Sequence, residues 1–377
     1  MEPLEDAGVC FPQLNASCRK TARPRSEAVL VCSLQSSVAL LTVVLNLLVI
    51  ISISHFRQRH TSLHGTNLSH HSSITEAALA LFCPDSAVVS CWLFPVLVFM
   101  LVSCASRQLH TSTNLLVLSL AVVDLLVGLL QMPIEIILYR GCWLLSDFIC
   151  ALNFSLSYLL VSVSVGNLVL ISVDRYVAVC EPMFYSTKVT VGRVQLCVCL
   201  CWFCSAVHSG WILRDFVKRQ QHNRLEFCYG ECVVAITYAQ VAVDFMVTFL
   251  GPFVVISCLY VRVFVVAVSQ ARAVRSHLAA LRRSEAVKPK KSELKAARTL
   301  GVVVLVFLLC SAPYYFFSVA AEVNSISGTS VSLWLLYFNS CLNPLIYTFF
   351  YPWFRKAIKH IFTLQILEPE SCEANIL

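Results

Sequence analysis

The sequence predicts an all-α membrane protein: a seven-transmembrane helix bundle followed by a short amphipathic eighth helix. Three observations predict it. The mean hydropathy is +0.75 and only 13% of residues are charged, a balance foreign to soluble globular domains. About 20 apolar residues cross a bilayer as one helix, and segments of that kind recur along the chain. The basic residues cluster at the ends of those segments, chiefly within 272–298 and 355–359, where they abut the membrane. That placement argues against a nucleic-acid partner and for the lipid bilayer.

The segments fall near 29–55, 114–138, 149–173, 194–213, 234–267, 299–321 and 331–350. The first carries Asn46. The stretch Met1–Asp6 ahead of it has no basic run leading into an apolar core, so no cleavable signal is expected and the first span acts as the anchor. The second carries Asp124 and Glu135. The third opens at Cys150 and ends in Asp174-Arg175-Tyr176. The fourth holds Trp202 among Cys197, Cys199, Cys201 and Cys204, which read as small buried thiols. The fifth contains Asp244 and Pro252, the sixth Pro313, and the seventh ends in Asn343-Pro344-Leu345-Ile346-Tyr347. A proline inside a span frees a carbonyl and permits a kink. After Tyr351, the residues Phe354, Ile358, Ile361 and Phe362 repeat at helical spacing beside Arg355, Lys356 and Lys359, the pattern of an interfacial helix.

Positive loops stay cytoplasmic, so seven spans place the N-terminus outside. The expected organisation is an extracellular segment at 1–28, a receptor-like bundle at 29–58 and 109–350, and a helix with a cytoplasmic tail at 351–377. Asn15-Ala16-Ser17 is a glycosylation sequon on the outer side. Cys10 or Cys18, Cys150, Cys228 and Cys232 also fall there, in an oxidising compartment where pairing is expected. The four histidines His60, His64, His70 and His71 lack a regular ligand spacing, and no metal site is expected.

The stretch 59–108 does not fit. Without it, Phe56-Arg57-Gln58 runs directly into Leu109-His110-Thr111, a short inner loop. Its apolar part, 86–105, is long enough to span, but an eighth crossing would turn the basic 272–298 segment outward and Cys150 and Cys232 inward. Both outcomes break the charge and redox rules. The stretch is therefore read as an anomalous insertion in the first inner loop, either a translated intron or gene-model error or a segment that fails to cross.

Asn46, Asp124 in Leu120–Asp124, the Asp174-Arg175-Tyr176 triplet, Trp202, Pro252, Pro313 and Asn343–Tyr347 resemble, in order and spacing, the rhodopsin-like G-protein-coupled receptors. The run Asn339–Tyr347, continuing to Tyr351–Lys356, with Lys295–Leu300 and Cys228–Cys232, resembles the trace-amine-associated receptors, in a fish-like form. The resemblance covers about 29–58 and 109–360. It implies a non-enzymatic olfactory receptor of the plasma membrane for small amines. It also implies a stimulatory heterotrimeric G protein, arrestin and receptor kinases as partners. The alternatives are a receptor-like product silenced by 59–108, or an aminergic receptor for another ligand class. A transporter would show paired halves with broken helices, and neither signature motif has a second copy. An intramembrane hydrolase would need HExxH, GxSxG or facing aspartates, which are absent.

The resemblance also assigns roles. It implies a bond between Cys150 and Cys232 and another from Cys228 to Cys10 or Cys18, the alternative being Cys10 with Cys18. Asp124, Ser164, Asn339 and Asn343 resemble the family's sodium pocket, with sodium as an allosteric modulator and no other cofactor; the alternative is a dry hydrogen-bonded network. Asp174 and Arg175 resemble the ion pair that opens on activation. Tyr176 completes that triplet. Glu293 resembles the sixth-span acid that restrains the arginine, or is a solvated charge. Tyr260 and Tyr347 resemble tyrosines that swing inward, and Pro344 lies in the same motif. Ser311 stands where the usual pattern has tryptophan, which leaves the coupling to Phe307 beside Pro313.

In aminergic relatives an aspartate seven residues after the third-span cysteine binds the amine; here that residue is Ser157. Asp244 is expected to replace it, within a cage of Tyr158, Tyr314, Tyr315, Trp334 and Tyr337 that favours a cation. A carboxylate at membrane depth needs a partner, and no basic side chain stands out in the neighbouring spans. Glu135 and Glu322, nearer the outer mouth, are candidates for the second nitrogen of a diamine. The alternative for Asp244 is a protonated or water-linked structural residue.

Overall fold

The computed structural model describes residues 9–13, 17–18, 24–55, 111–139, 141–222, 230, 232, 236–280, 291–321, 329–350, 352–363 and 365. Every regular element among them is helical. Helix α1 (Arg25–His55) is the first span. The second is α2 (Ser112–Leu126), a π turn at Val127–Gln131, then α3 (Met132–Tyr139). The third is α4 (Asp147–Cys180), capped by the Ser146 hydroxyl, which accepts from the Ile149 amide. A short helix α5 (Tyr185–Lys188) links it to the fourth, α6 (Val191–His222). The fifth is α7 (Tyr238–Asp244), a π turn at Phe245–Leu250, then α8 (Gly251–Ala280). The sixth and seventh are α9 (Lys291–Ala321) and α10 (Thr329–Phe350), and α11 (Pro352–Phe362) follows.

The first five spans are each long and apolar enough to cross a membrane. With α9 and α10 they form the seven-helix bundle, a multi-pass membrane protein. The helices run past the apolar segments at most ends, because a helix continues into the polar boundary where solvent takes over its last backbone groups. The third span packs on the second, fourth and fifth; the seventh packs on the sixth and on α1. The core is mostly apolar, from Leu118, Leu120 and Met132 to Leu159, Val163, Leu168 and Trp202. Leu196, Leu200, Phe203, Phe264, Leu309 and Phe316 face outward, as expected where lipid replaces water. Helices three and four pack tightly at Gly166, where a Cβ would lie 2.3 Å from Cys201 Sγ.

Both π turns precede or contain the position a proline disturbs. Pro252 has no N–H to return to Thr248, and the turn just before it carries the lost register. Gly251 completes that turn: its N–H reaches the Met246 carbonyl, and a Cβ there would sit 2.8 Å from the same oxygen. In α11, Phe354 and Ala357 are buried against the first and seventh spans while Arg355, Lys356 and Lys359 are exposed. Phe362 points away from the bundle, 72% exposed.

At one end of the bundle, Cys150 of α4 is bonded to Cys232. The N-terminal segment rules out Cys10 as the partner of Cys228 or of Cys18, and leaves the expected bond from Cys228 to Cys18 uncontradicted. Cys10 is bonded to Cys142, not to Cys228 or Cys18, and Cys18 is itself disulfide-bonded. The Cys10 amide donates to the Cys18 carbonyl and the Phe11 amide to Ser17 Oγ, a tight fold that turns Cys10 toward the loop after α3. Gly230, at φ 103°, accepts from the Trp143 amide and lies so close that a Cβ would be 2.8 Å from Cys10 Cβ. Cys228, Asn15, Glu322 and the 59–108 insertion lie outside the described residues.

Candidate functional site

Three polar clusters interrupt the apolar core. The first lies toward the disulfide end, between spans three, four, five and six. Asp244, the last residue of α7, is buried. Thr248, one turn on across the π turn, donates to the Asp244 carbonyl at 2.6 Å and stands 3.2 Å from Oδ1. Tyr315 of the sixth span shares a hydrogen bond with the same hydroxyl. A threonine has one proton to give, so Tyr315 donates to Thr248 and Thr248 to Asp244. Tyr158, Tyr314 and Tyr315 all lie within reach of the Asp244 charge. Tyr315 packs against Phe249 at a tilt with centroids 4.9 Å apart, and Tyr314 meets Tyr315 edge-on at 5.1 Å. Asp244, Tyr158, Tyr314 and Tyr315 are thus brought together.

One residue in this cluster corrects the expectation that no basic side chain is near. His208 of the fourth span places Nε2 3.7 Å from Asp244 Oδ1, and its Nδ1 is 3.0 Å from Ser162 Oγ. Hydropathy hides it, because a single histidine barely changes an apolar segment and the rotation of α6 is set by its neighbours.

Ser157 and Tyr337 form a second edge of the same region, their hydroxyls 2.6 Å apart. The Tyr337 ring feels the Glu135 charge, as Tyr314 does. Gln131 of the second span donates to Asn153 Oδ1 at 2.7 Å, and Asn153 lies near Glu135. Trp334 is half-buried against the apolar core. Gln131, Asn153, Thr248, Ser162, Phe245 and Phe249 carry no motif, so the sequence reading missed them. Only the spacing of Thr248, four residues after Asp244, was a signal.

Deeper, Asn343 donates from Nδ2 to Asp124 Oδ2 at 2.9 Å, and Ser340 lies within reach of the same carboxylate. Asp124 Oδ1, Asn339 Oδ1 and Asn343 Oδ1 are buried without a hydrogen-bond partner, and Ser164 is buried too. Asn46 ties the first span in, donating to the Ser340 carbonyl at 3.0 Å. Bare carbonyl and carboxylate oxygens are the donor set of a hard cation, so these residues fit a sodium ion. Phe307 is buried, and so is Ser311, whose hydroxyl has no partner. Pro313 and Pro344 both lie inside their helices.

At the end away from the disulfides, Arg175 Nε donates to Asp174 Oδ2 at 2.9 Å, and Nη2 contacts both Asp174 and Thr113. Thr113 donates to Oδ2 at 3.0 Å and Tyr185 to Oδ1 at 2.8 Å. Burial raises the Tyr185 phenol above its ordinary pKa, which keeps it a donor. Tyr176 is half-buried on the same turn. Tyr260 reaches Gly301 of the sixth span: a Cβ on Gly301 would lie 2.1 Å from the tyrosine oxygen. The side chains of Glu293 and Tyr347 lie outside the described residues, though both backbones are helical.

The sequence matches the 7 transmembrane receptor (rhodopsin family) over residues 95–347. That match opens inside the 59–108 stretch and leaves α1 outside it. The chain is 32% identical over 376 residues to trace amine-associated receptor 13c of Danio rerio, covering 97% of this chain and 95% of that protein. It is 39% identical over 281 residues to trace amine-associated receptor 7e of Rattus norvegicus, covering 72% and 78%. Identity to receptor 8c of Mus musculus is 31% over 384 residues, covering 98% and 96%.

Proposed function

The chain belongs to the rhodopsin family of seven-transmembrane receptors, in its trace amine-associated branch, and from that premise we propose that it detects small amines through Asp244 and signals through a G protein. The observation that carries the ligand reading is the burial of Asp244 among phenols. A buried carboxylate held by one threonine hydroxyl is under-satisfied, and an ammonium supplies both charge and donors. Tyr158, Tyr314 and Tyr315 present ring faces and hydroxyls around it, which favours a compact cation over a neutral ligand. Ser157 cannot serve as the counter-ion, since its hydroxyl is uncharged; it pairs instead with Tyr337. Glu135, whose charge also acts on Tyr314, is the candidate for a second nitrogen.

The orientation follows from charge. The N-terminus and disulfides face the extracellular side of the plasma membrane, and the basic 272–298 segment faces the cytoplasm. Asp174, Arg175, Thr113 and Tyr185 then form a closed latch on the cytoplasmic face. Ligand binding shifts the bundle toward a state in which Arg175 is released to a stimulatory G protein, with arrestin and receptor kinases acting on the same face. Sodium at Asp124, Asn339, Asn343 and Ser164 would stabilise the closed state by supplying charge to otherwise bare oxygens. The stretch 59–108 is read from the sequence as an anomalous insertion in the first inner loop, either a translated intron or gene-model error or a segment that fails to cross. Cyclic AMP accumulation in cells expressing the chain, against a panel of primary amines, tests the reading; silence to every amine at verified surface expression would reject it.

A further inference from the structure

His208 sits in Cys204-Ser205-Ala206-Val207-His208-Ser209, one ionisable residue on an apolar helix face. A histidine in such a place ordinarily satisfies both ring nitrogens with neighbours. Here only one is satisfied. Nδ1 meets Ser162 Oγ at 3.0 Å, while Nε2 is buried with no hydrogen-bond partner and faces Asp244 Oδ1 at 3.7 Å. That separation is too long for a formed hydrogen bond. It is short enough for strong coupling between charges withdrawn from water, and both side chains are nearly withdrawn, at 10% and 11% exposed.

We propose that His208 is an internal competitor of the amine for Asp244: neutral, it leaves the carboxylate to the ligand's ammonium; protonated, it neutralises the carboxylate and excludes the ligand. This rests on the reading of Asp244 as the amine's counter-ion. The charge count gives the mechanism. With Asp244 ionised and His208 neutral, the pair carries one negative charge and attracts one cation. A proton on His208 brings the pair to zero, and a further ammonium would be an unpaired buried charge. Proton and amine therefore exclude each other. Linkage then sets the limit at about a tenfold loss of affinity per pH unit below the titration of the pair. Histidine is the side chain whose ordinary titration falls in the physiological range. A primary alkylamine stays charged throughout, since an ammonium of the lysine kind titrates near 10.4, at roughly that pH.

The other groups facing this pair do not mimic the effect. Tyr158 approaches from the third span and Tyr314 and Tyr315 from the sixth; free phenols titrate at about pH 10 and remain neutral in the test range. Cys201 and Cys204 lie on the same helix as His208 and are thiols. Glu135 of the second span acts on Tyr314 only through its charge, and Asp124 is bonded to Asn343 deeper in the bundle. Neither is altered by a change at His208, so both drop out of a comparison between variants.

The test is equilibrium binding of tritiated phenylethylamine, displaced by butylamine and hexylamine, on membranes of matched receptor content between about pH 5.5 and 8. The unsubstituted full chain should lose affinity on acidification, with a slope approaching about tenfold per unit. His208→Gln, which keeps a hydrogen-bonding partner for Ser162 without the charge, should hold its neutral-pH affinity to lower pH, by about one unit or more. His208→Asn supplies the same comparison should the glutamine variant fail to reach the surface. Superimposable acid limbs in the unsubstituted and His208 variants would overturn the inference, because the proton would then reside on Asp244 alone. Asp244→Asn separates the two readings: intact amine binding in that variant removes Asp244 as counter-ion, whatever His208 does. Absence of amine binding to the unsubstituted chain at every pH rejects the amine reading itself.

Discussion

Tyr185→Phe should raise signalling in the absence of ligand. The Asp174 carboxylate is buried, 3% exposed, and accepts from Arg175, Thr113 and Tyr185. The Tyr185 bond, at 2.8 Å to Oδ1, is the one that holds the second oxygen. A hydrogen bond to a charged acceptor contributes about 1.5–3 kcal/mol. Tyr185 is half-buried, so the lower end applies, about 1.5 kcal/mol, or roughly tenfold in an equilibrium constant. Opening must separate Asp174 from Arg175, and the Tyr185 bond favours the closed arrangement. A receptor open about 1% of the time would then be open about 10% of the time. The assay is cyclic AMP accumulation without agonist, normalised to surface receptor, with Thr113→Val as a second variant expected to move the same way. Unchanged ligand-free signalling in both variants would refute the latch, because a clamp that bears no load on the closed state cannot be this cluster.

Other outcomes follow from the remaining contacts. Asp124→Asn should abolish any effect of sodium on amine affinity while preserving the fold, since Asn343 Nδ2 keeps an acceptor; a sodium effect that survives would place the ion elsewhere. Cys10→Ser, Cys142→Ser and the double variant should lose surface expression equally, because all three remove one bond; additive losses, or a Cys10–Cys228 peptide in non-reduced mass spectrometry, would contradict the pairing. Deleting 59–108 should increase surface staining severalfold, and its presence in the dominant transcript with no gain on deletion would make it a genuine segment of the receptor.

The bundle was legible in the sequence because its driving signal is one-dimensional. A span needs only a run of apolar residues, and three ends of 114–138 and 149–173 lie within two residues of Ser112–Tyr139 and Asp147–Cys180, while the third helix runs seven residues further, to Cys180. Asp124, Arg175 and Asp244 were legible for the opposite reason, since charge inside such a run is costly and marks itself. What sequence hides is rotation about a helix axis and pairing across space. His208 meets Asp244 only because two helices turn those faces toward each other, and the π turn at Phe245–Leu250 alters the register of the fifth span on the way. Cys142 escaped because its partner lies 132 residues away, and no local pattern ranks one outer cysteine above another. Phe354 and Ile358 were placed by helical period, while Phe362 departs from it where the helix ends.

The most direct test of the account is the amine response of Asp244→Ala. Removing one partner of a buried ion pair costs about 3–5 kcal/mol, which is on the order of a hundredfold or more in potency. Dose–response curves for a panel of primary amines, read as cyclic AMP at matched surface expression, should shift rightward by at least that factor, with the maximal response retained at saturating amine. Potency unchanged from the unsubstituted receptor would contradict Asp244 as the counter-ion and, with it, the proposed mode of recognition.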